Sequence, residues 1–186
     1  MRKLLMIVLV IIIGGFMFAE NPQVKMSTSQ GDILIELYQD KAPITVNNFL
    51  NYVKDGFYNG TVFHRVIADF MIQAGGYSIE GKRLMPKEQI KNEADNGLKN
   101  ETGTIAMART PAVDSATSQF FINCKNNDNL NHSKDNFGYC VFGKVIEGME
   151  VVNKIQYVPT GQKNRMRDWP IKDIVIKKVI IVSEEE

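Results

Sequence analysis

A chain of 186 residues with 22 basic and 21 acidic side chains carries a formal net charge of only +1. That balance argues against nucleic acid as the main partner, which calls for a basic face. The length, less a leader, suits one domain with a proper hydrophobic core, and no internal repeat or low-complexity linker divides it.

Met1-Arg2-Lys3 is a short basic head, the run 4–18 has no charged or strongly polar side chain, and Ala19 precedes Glu20-Asn21-Pro22-Gln23. This is the layout of a secretory signal peptide, and the apolar run is short of the roughly 20 residues that a membrane span wants. The expectation is a leader over 1–19 and a single domain over 20–186, located in the periplasm or outside the cell. Met17 stands where a small residue is preferred before the cut, so an uncleaved anchor is the competing reading and would be the chain's membrane contact. Removing Arg2 and Lys3 takes the net charge from +1 to −1. Cys124 and Cys140 lie in apolar surroundings; they could pair in an oxidising compartment or remain two small buried hydrophobes, and free thiols are expected.

Residues 24–29 and 32–37 flank Gln30-Gly31 and read as a hairpin, with Ile33, Ile35 and Leu37 alternating along one face. Pro43 opens a helix whose inward stripe is Val46, Phe49, Leu50 and Val53, with Gly56 placed to end it. Asn59-Gly60 is a turn, and 61–67 and 70–73 are strand-like. The polar run 75–100 reads as loops around a short strand at 89–91. Further strands are expected at 104–108, 119–123, 139–145 and 174–182, with a second helix beginning at Gly148 and broken by Pro159-Thr160-Gly161. Many short strands with one early and one late helix indicate a mainly β domain built on one closed or nearly closed sheet; spacing alone does not distinguish a barrel from a sandwich.

The parts needed for several kinds of chemistry are missing from the sequence. His64 and His132 are the 2 histidines and lack metal-ligand spacing, no Gly-x-Ser-x-Gly elbow occurs, and no phosphate-cradling Gly-Lys-Ser/Thr loop occurs. Any activity has to work by binding and electrostatics, and neither metal nor cofactor is expected. Two stretches combine apolar walls with a few polar groups, as a small recognition cleft does: Phe63-His64-Arg65-Val66-Ile67 running into Phe70-Met71-Ile72-Gln73, and Ser118-Gln119-Phe120-Phe121-Ile122.

With Ile105-Ala106-Met107-Ala108 and Val141-Phe142-Gly143-Lys144-Val145, these motifs stand in the order found in the cyclophilin-type peptidyl-prolyl cis-trans isomerases. The resemblance runs from about Val24 to Val182, and Ile90-Lys91-Asn92-Glu93-Ala94 is similar to the bacterial branch. It implies a closed eight-stranded antiparallel barrel capped by two helices. It also implies rotation of X–Pro bonds, with Arg65 as the catalytic residue. Phe70, Met71, Phe120 and Leu130 would hold the proline ring, and Gln73 would bond the substrate backbone. Ala108, Arg109, Gln119 and Tyr139 complete the implied peptide-binding set; Arg109 stands in place of a more usual Asn and Tyr139 in place of a frequent His. Asn129 falls where the family has an aromatic rim residue, so weak cyclosporin binding is expected. The implied partners are proline-containing segments of unfolded or exported proteins, met by a monomer.

By themselves these residues read more plainly. An Arg in a strand is ordinarily solvated or salt-bridged, and Phe70, Met71, Phe120 and Leu130 would by default be core. His64 reads as structural, for nothing near it in sequence supplies a nucleophile or metal partner. A non-catalytic peptide-binding chaperone on the same scaffold is the alternative function, and an adhesin or scaffold using the loops of 75–100 a weaker third.

Overall fold

In the computed structural model, residues 21–182 are described; the expected leader over 1–19 lies outside them. Strands β1 (Gln23–Thr28) and β2 (Asp32–Leu37) form the expected hairpin. Helix α1 (Pro43–Lys54) follows, burying Val46, Phe49, Leu50 and Val53 together with Thr45 and Tyr52. Then come β3 (Thr61–Val62), β4 (Arg65–Ile67), β5 (Met71–Ala74), β6 (Thr104–Met107), β7 (Phe120–Asn123) and β8 (Val141–Glu147). Helix α2 (Met149–Gln156), capped by Gly148, precedes β9 (Thr160–Lys163), β10 (Met166–Pro170) and β11 (Val175–Val182).

Nine strands form one sheet in the order β3-β11-β1-β2-β8-β6-β7-β5-β4, and β9 and β10 make a separate ribbon. Every pairing in the main sheet is antiparallel. Its two end strands are neighbours in the chain: β3 and β4 are separated by Phe63 and His64 alone, so the sheet curls until its ends nearly meet. The expected strand over 61–67 is thus two short strands. The chain changes partner midway, pairing with β11 at Thr61–Val62 and with β5 at Arg65–Ile67.

The curled sheet and both helices enclose an aromatic core. Phe49 of α1 packs 5.5 Å from Phe120 at 87°, 5.1 Å from Tyr58 and 5.3 Å from Phe142. The edge-on pair with Phe120 adds about 0.5–1.5 kcal/mol beyond area burial. No local side chain caps α1. Its first turn is capped instead by Glu93, which accepts from Ile44 N (3.1 Å), Thr45 N (2.8 Å) and Thr45 Oγ1 (2.7 Å). A carboxylate there meets free N–H groups and the positive end of the helix dipole.

Other differences from the expectations are local. Residues 89–91 form no strand; Ile90 makes a single bridge with Ala116, because its polar flanks find no second partner strand. Thr160 and Gly161 start a strand rather than only breaking α2. The β9–β10 ribbon escapes notice because its polar residues do not alternate. Its two-residue turn, Asn164-Arg165, adopts left-handed φ of 50° and 66° without the usual glycine. Cys124 and Cys140 are both free, and burial pushes their thiols up to about 12 and about 11. Among the described residues, no helix is long and apolar enough to cross a membrane.

Candidate active site

The face of β4, β5, β7 and β6 turned away from the main core carries the candidate site. Cross-strand register sets Arg65, Gln73, Phe121 and Ala106 in one row and Val66, Ile72, Ile122 and Ile105 in the next. Side chains alternate between faces along a strand. The second row is therefore wholly in the core, while the first faces outward with Met71 beside it. Met71, Ala106, Phe121 and Val141 form a separate small cluster, flanked by Phe70, Ala108, Leu130 and Tyr139.

This cluster floors a cavity of about 330 Å³ lined by Arg65, Phe70, Met71, Gln73, Ala108, Arg109, Phe121, Leu130 and Tyr139. Eight of the expected residues are thereby brought together, and two are not. Phe120 is fully buried in the main core, in a row with Ala74 and Met107, and contacts Phe49 and Tyr58 instead. Phe121 takes the place expected of it. β7 is apolar on both faces, so composition does not separate the two rings; register does, because Phe121 pairs with the cavity-lining Gln73 and Phe120 with the buried Ala74. Gln119 lies one step away from the cavity. It accepts a 2.9 Å bond from Gln73 Nε2 and so orients the amide that faces the hollow. Gly75 and Gly76 permit this approach: a Cβ on Gly75 (φ 83°) would stand 2.6 Å from Ser118 O, and one on Gly76 2.6 Å from Gln119 Cδ.

Each wall is fixed from behind. Asp69, at φ 54°, makes the turn between β4 and β5. Its N–H donates to Gln156 Oε1 (3.0 Å), and its carboxylate accepts from Tyr157 Oη (2.9 Å), tying the turn before Phe70 to the end of α2. Phe70 and Leu130 are both held by buried amides that the sequence reading missed. Asn127 Nδ2 donates to Phe70 O (2.9 Å) and Asn123 Oδ1 (2.7 Å). Asn123 Nδ2 donates to Thr104 Oγ1 (2.9 Å) and Asn100 Oδ1 (3.2 Å), and Asn100 Nδ2 to Leu130 O (3.1 Å). They are spread along the chain, with Asn123 ending β7 and Asn100 and Asn127 in loops, so no local pattern groups them. Buried amides bonded in this way hold one geometry because losing a partner is costly.

Arg109 acts as a strut. Its Nε donates to Gly138 O (2.9 Å), and its guanidinium lies 4.8 Å from the centre of the Tyr139 ring, which meets Phe121 at 5.7 Å and 78°. Arg65 is half-exposed, with Nε 3.9 Å from Asp168 Oδ2 on β10. His64, by contrast, points away from the cavity floor into Tyr77 (4.7 Å) and Trp169 (6.0 Å). Burial pulls its pKa down to about 4, so it is a neutral packed ring at neutral pH. Asn129, in a 3-10 turn over Asp128–Leu130, is exposed and does not line the cavity, which leaves no aromatic side chain from that turn over the hollow.

Chemically, the arrangement offers an apolar hollow sized for a small ring, a cationic donor and a side-chain amide on one edge, and no nucleophile among the lining residues. Residues 23–181 match the family described as cyclophilin type peptidyl-prolyl cis-trans isomerase/CLD. Peptidyl-prolyl cis-trans isomerase B of Escherichia coli is 53% identical over 161 residues, covering 85% of this chain and 98% of that protein. A peptidyl-prolyl cis-trans isomerase of Acinetobacter baylyi is 51% identical over 177 residues, covering 93% and 94%. The fold is similar to a cyclophilin type peptidyl-prolyl cis-trans isomerase of Cryptosporidium parvum, with a TM-score of 0.74 at 30% identity over 89% of this chain and 99% of that one. A structure of the same isomerase in the presence of the dipeptide Ala-Pro superposes with a TM-score of 0.72 at 31% identity, over 87% and 99%. With a match that begins in β1 and ends in β11, and relatives aligned over nearly their full length, the chain belongs to the cyclophilin-type peptidyl-prolyl cis-trans isomerases, enzymes of X–Pro bond rotation.

Proposed function

We propose that Arg65 drives the isomerisation by bonding the twisted amide, on substrates that are exported proteins. Rotation about X–Pro breaks no bond, yet amide resonance sets a barrier of about 18–20 kcal/mol. As the amide twists, the proline nitrogen becomes pyramidal and regains a lone pair. A fixed cationic donor bonds that lone pair only in the twisted state, which is differential binding of a transition state. Arg suits the task, being charged at all relevant pH values and rigid in its donors. Accelerating exchange by about 10⁵ requires roughly 7 kcal/mol. One charge-assisted hydrogen bond supplies about 1.5–3 kcal/mol. The remainder comes from the desolvated hollow and from holding the flanking peptide while the proline side turns.

The observation that carries this reading is the row Arg65–Gln73–Phe121: cation, amide and ring side by side on one face, above an apolar floor. The Ala-Pro dipeptide of the C. parvum structure supports a proline ring as occupant. A proline-peptide isomerisation assay of wild type against Arg65→Ala tests it: a fall in kcat of about one to two orders of magnitude, the worth of one charge-assisted bond, supports the role, and equal rates refute it.

The other features of this reading stand together. That β3 and β4, the two ends of the nine-stranded sheet, are joined through Phe63-His64 supports reading the sheet as an eight-stranded barrel capped by α1 and α2. The exposed, non-aromatic Asn129 argues for weak cyclosporin binding. The basic head, apolar run and Ala19 argue for export to the periplasm or beyond, and amino-terminal sequencing of the exported protein distinguishes cleavage after Ala19 from a retained anchor. The enzyme acts as a monomer without cofactor, and its clients are proline-containing segments of proteins still folding.

A further inference from the structure

We propose that Asp168 is a positioning residue for Arg65, and that the β9–β10 ribbon is the device that holds it there; this rests on Arg65 acting as described above. β10 carries a bulge. Met166 pairs with Lys163 and Trp169 with Gly161, so Arg167 and Asp168 together stand opposite Gln162. At the second of these residues the backbone is left-handed, with φ 62° at Asp168. Asp is among the non-glycine residues that accept this region most readily, and bulges beside active sites re-aim side chains. The side chain aimed in this way is the one carboxylate paired with Arg65 among the described residues, at 3.9 Å.

The ribbon is fastened on the neighbour of Arg65. Trp169 is buried against His64 (6.0 Å) and Tyr77 (5.8 Å, 74°). Its Nε1 donates to Asp173 Oδ1 (2.7 Å), and Lys163 donates to both Asp173 oxygens (3.1 and 2.9 Å) while lying 4.9 Å from the centre of the indole ring. At the tip, Asn164 Nδ2 donates to Gly81 O (3.0 Å). Asp168 is thus carried by a braced element, whereas Arg65 is a long, half-exposed side chain. A carboxylate near Nε draws the guanidinium to one side by charge attraction, raising the share of time it spends in one geometry. Between ribbon and strand lies a recess of about 290 Å³, which shares Arg65 and Gln73 with the main cavity. Because the pair is partly solvated, its influence is modest: about a three- to fivefold loss of kcat on removing the carboxylate, the size of an exposed ion pair.

The test is a double-mutant cycle on the full enzyme with Asp168→Asn and Asp168→Gly. Glycine keeps the left-handed bulge, so a loss of kcat without a loss of thermal stability isolates the carboxylate. Both variants are expected to lower kcat about three- to fivefold with KM within twofold of wild type. In an Arg65→Ala background neither is expected to lower it further, and Asp168→Glu is expected to recover part of the loss. Unchanged or raised kcat in both single variants overturns the proposal, as does an equal loss in the Arg65→Ala background. Equal rates for wild type and Arg65→Ala refute the catalytic role of Arg65 itself, a separate outcome.

Discussion

Adjacent phenylalanines with opposite duties give the sharpest prediction. Phe120 is fully buried and meets Phe49 and Tyr58 edge-on at 5.5 and 5.4 Å. Truncation to Ala leaves a void that the surrounding strands close only in part, at a cost of about 3–5 kcal/mol; the lost edge contacts are included in that figure. Against a total of about 5–15 kcal/mol for a domain, Phe120→Ala retains a fold, if a marginal one, and Phe120→Leu retains it comfortably. Phe121 also lies low in the sheet, but beside a cavity of about 330 Å³. Its removal enlarges a hollow that solvent already enters, so about 2 kcal/mol is expected, below the usual range for an enclosed ring. Urea unfolding followed by the fluorescence of Trp169, the single Trp of the chain, measures both. Proline-peptide kinetics then separate the two residues. Phe121→Ala is expected to lower kcat/KM at least tenfold, and Phe120→Leu to leave it within threefold of wild type. A stable Phe121→Ala with full activity, or a folded Phe120→Leu that has lost proline affinity, would refute the assignment of faces.

Glu93→Ala removes the carboxylate that caps α1 from 48 residues away and is expected to cost about 1–2 kcal/mol in urea unfolding, with kcat retained; an unchanged midpoint would deny the cap any role. For His64 the folded pKa of about 4 lies below the ordinary 6.5. The unfolded chain therefore binds more protons between those values, and the stability that the neutral ring contributes is present above pH 6.5 and lost as pH falls toward 4. About 2 kcal/mol is expected to disappear between pH 7 and pH 5, and His64→Phe is expected to flatten that slope; an equal slope in the variant would rule His64 out as its source. Asn127→Ala unties Phe70 O and Asn123 Oδ1; about 1–3 kcal/mol of stability and a raised KM are expected, and a variant with normal KM would show that Phe70 stays put without it. Burial keeps the Cys124 and Cys140 thiols protonated well above neutrality, so alkylation of the native enzyme at pH 8 is expected to be slow, and rapid labelling of either would contradict their burial.

Features written in local pattern were legible in the chain: the β1–β2 hairpin around Gln30-Gly31, the α1 stripe from Val46 to Val53, and Gly148 at the start of α2. The cleft was legible through its motifs, and most of its residues do share one hollow. Features that depend on partners far away in sequence were not. The Glu93 cap is invisible from Ala42, which carries no capping side chain of its own. The bulge that turns Asp168 toward Arg65 lies in a polar run with no alternation to read. The exchange of Phe120 for Phe121 has a different origin: both faces of β7 are apolar, and the register that sets Phe121 beside Gln73 decides which ring meets the cavity.

The splice at Phe63-His64 has a consequence for when this enzyme becomes competent. Thr61–Val62 borrows its partner from β11, and Phe63 N donates to Ile174 O at 3.0 Å, so the lead-in to Arg65 is moored to residues more than a hundred positions downstream. A nascent chain still lacking those residues has the arginine but not its anchorage. The strand that presents Arg65 is therefore anchored at its leading end only once β11 has been made.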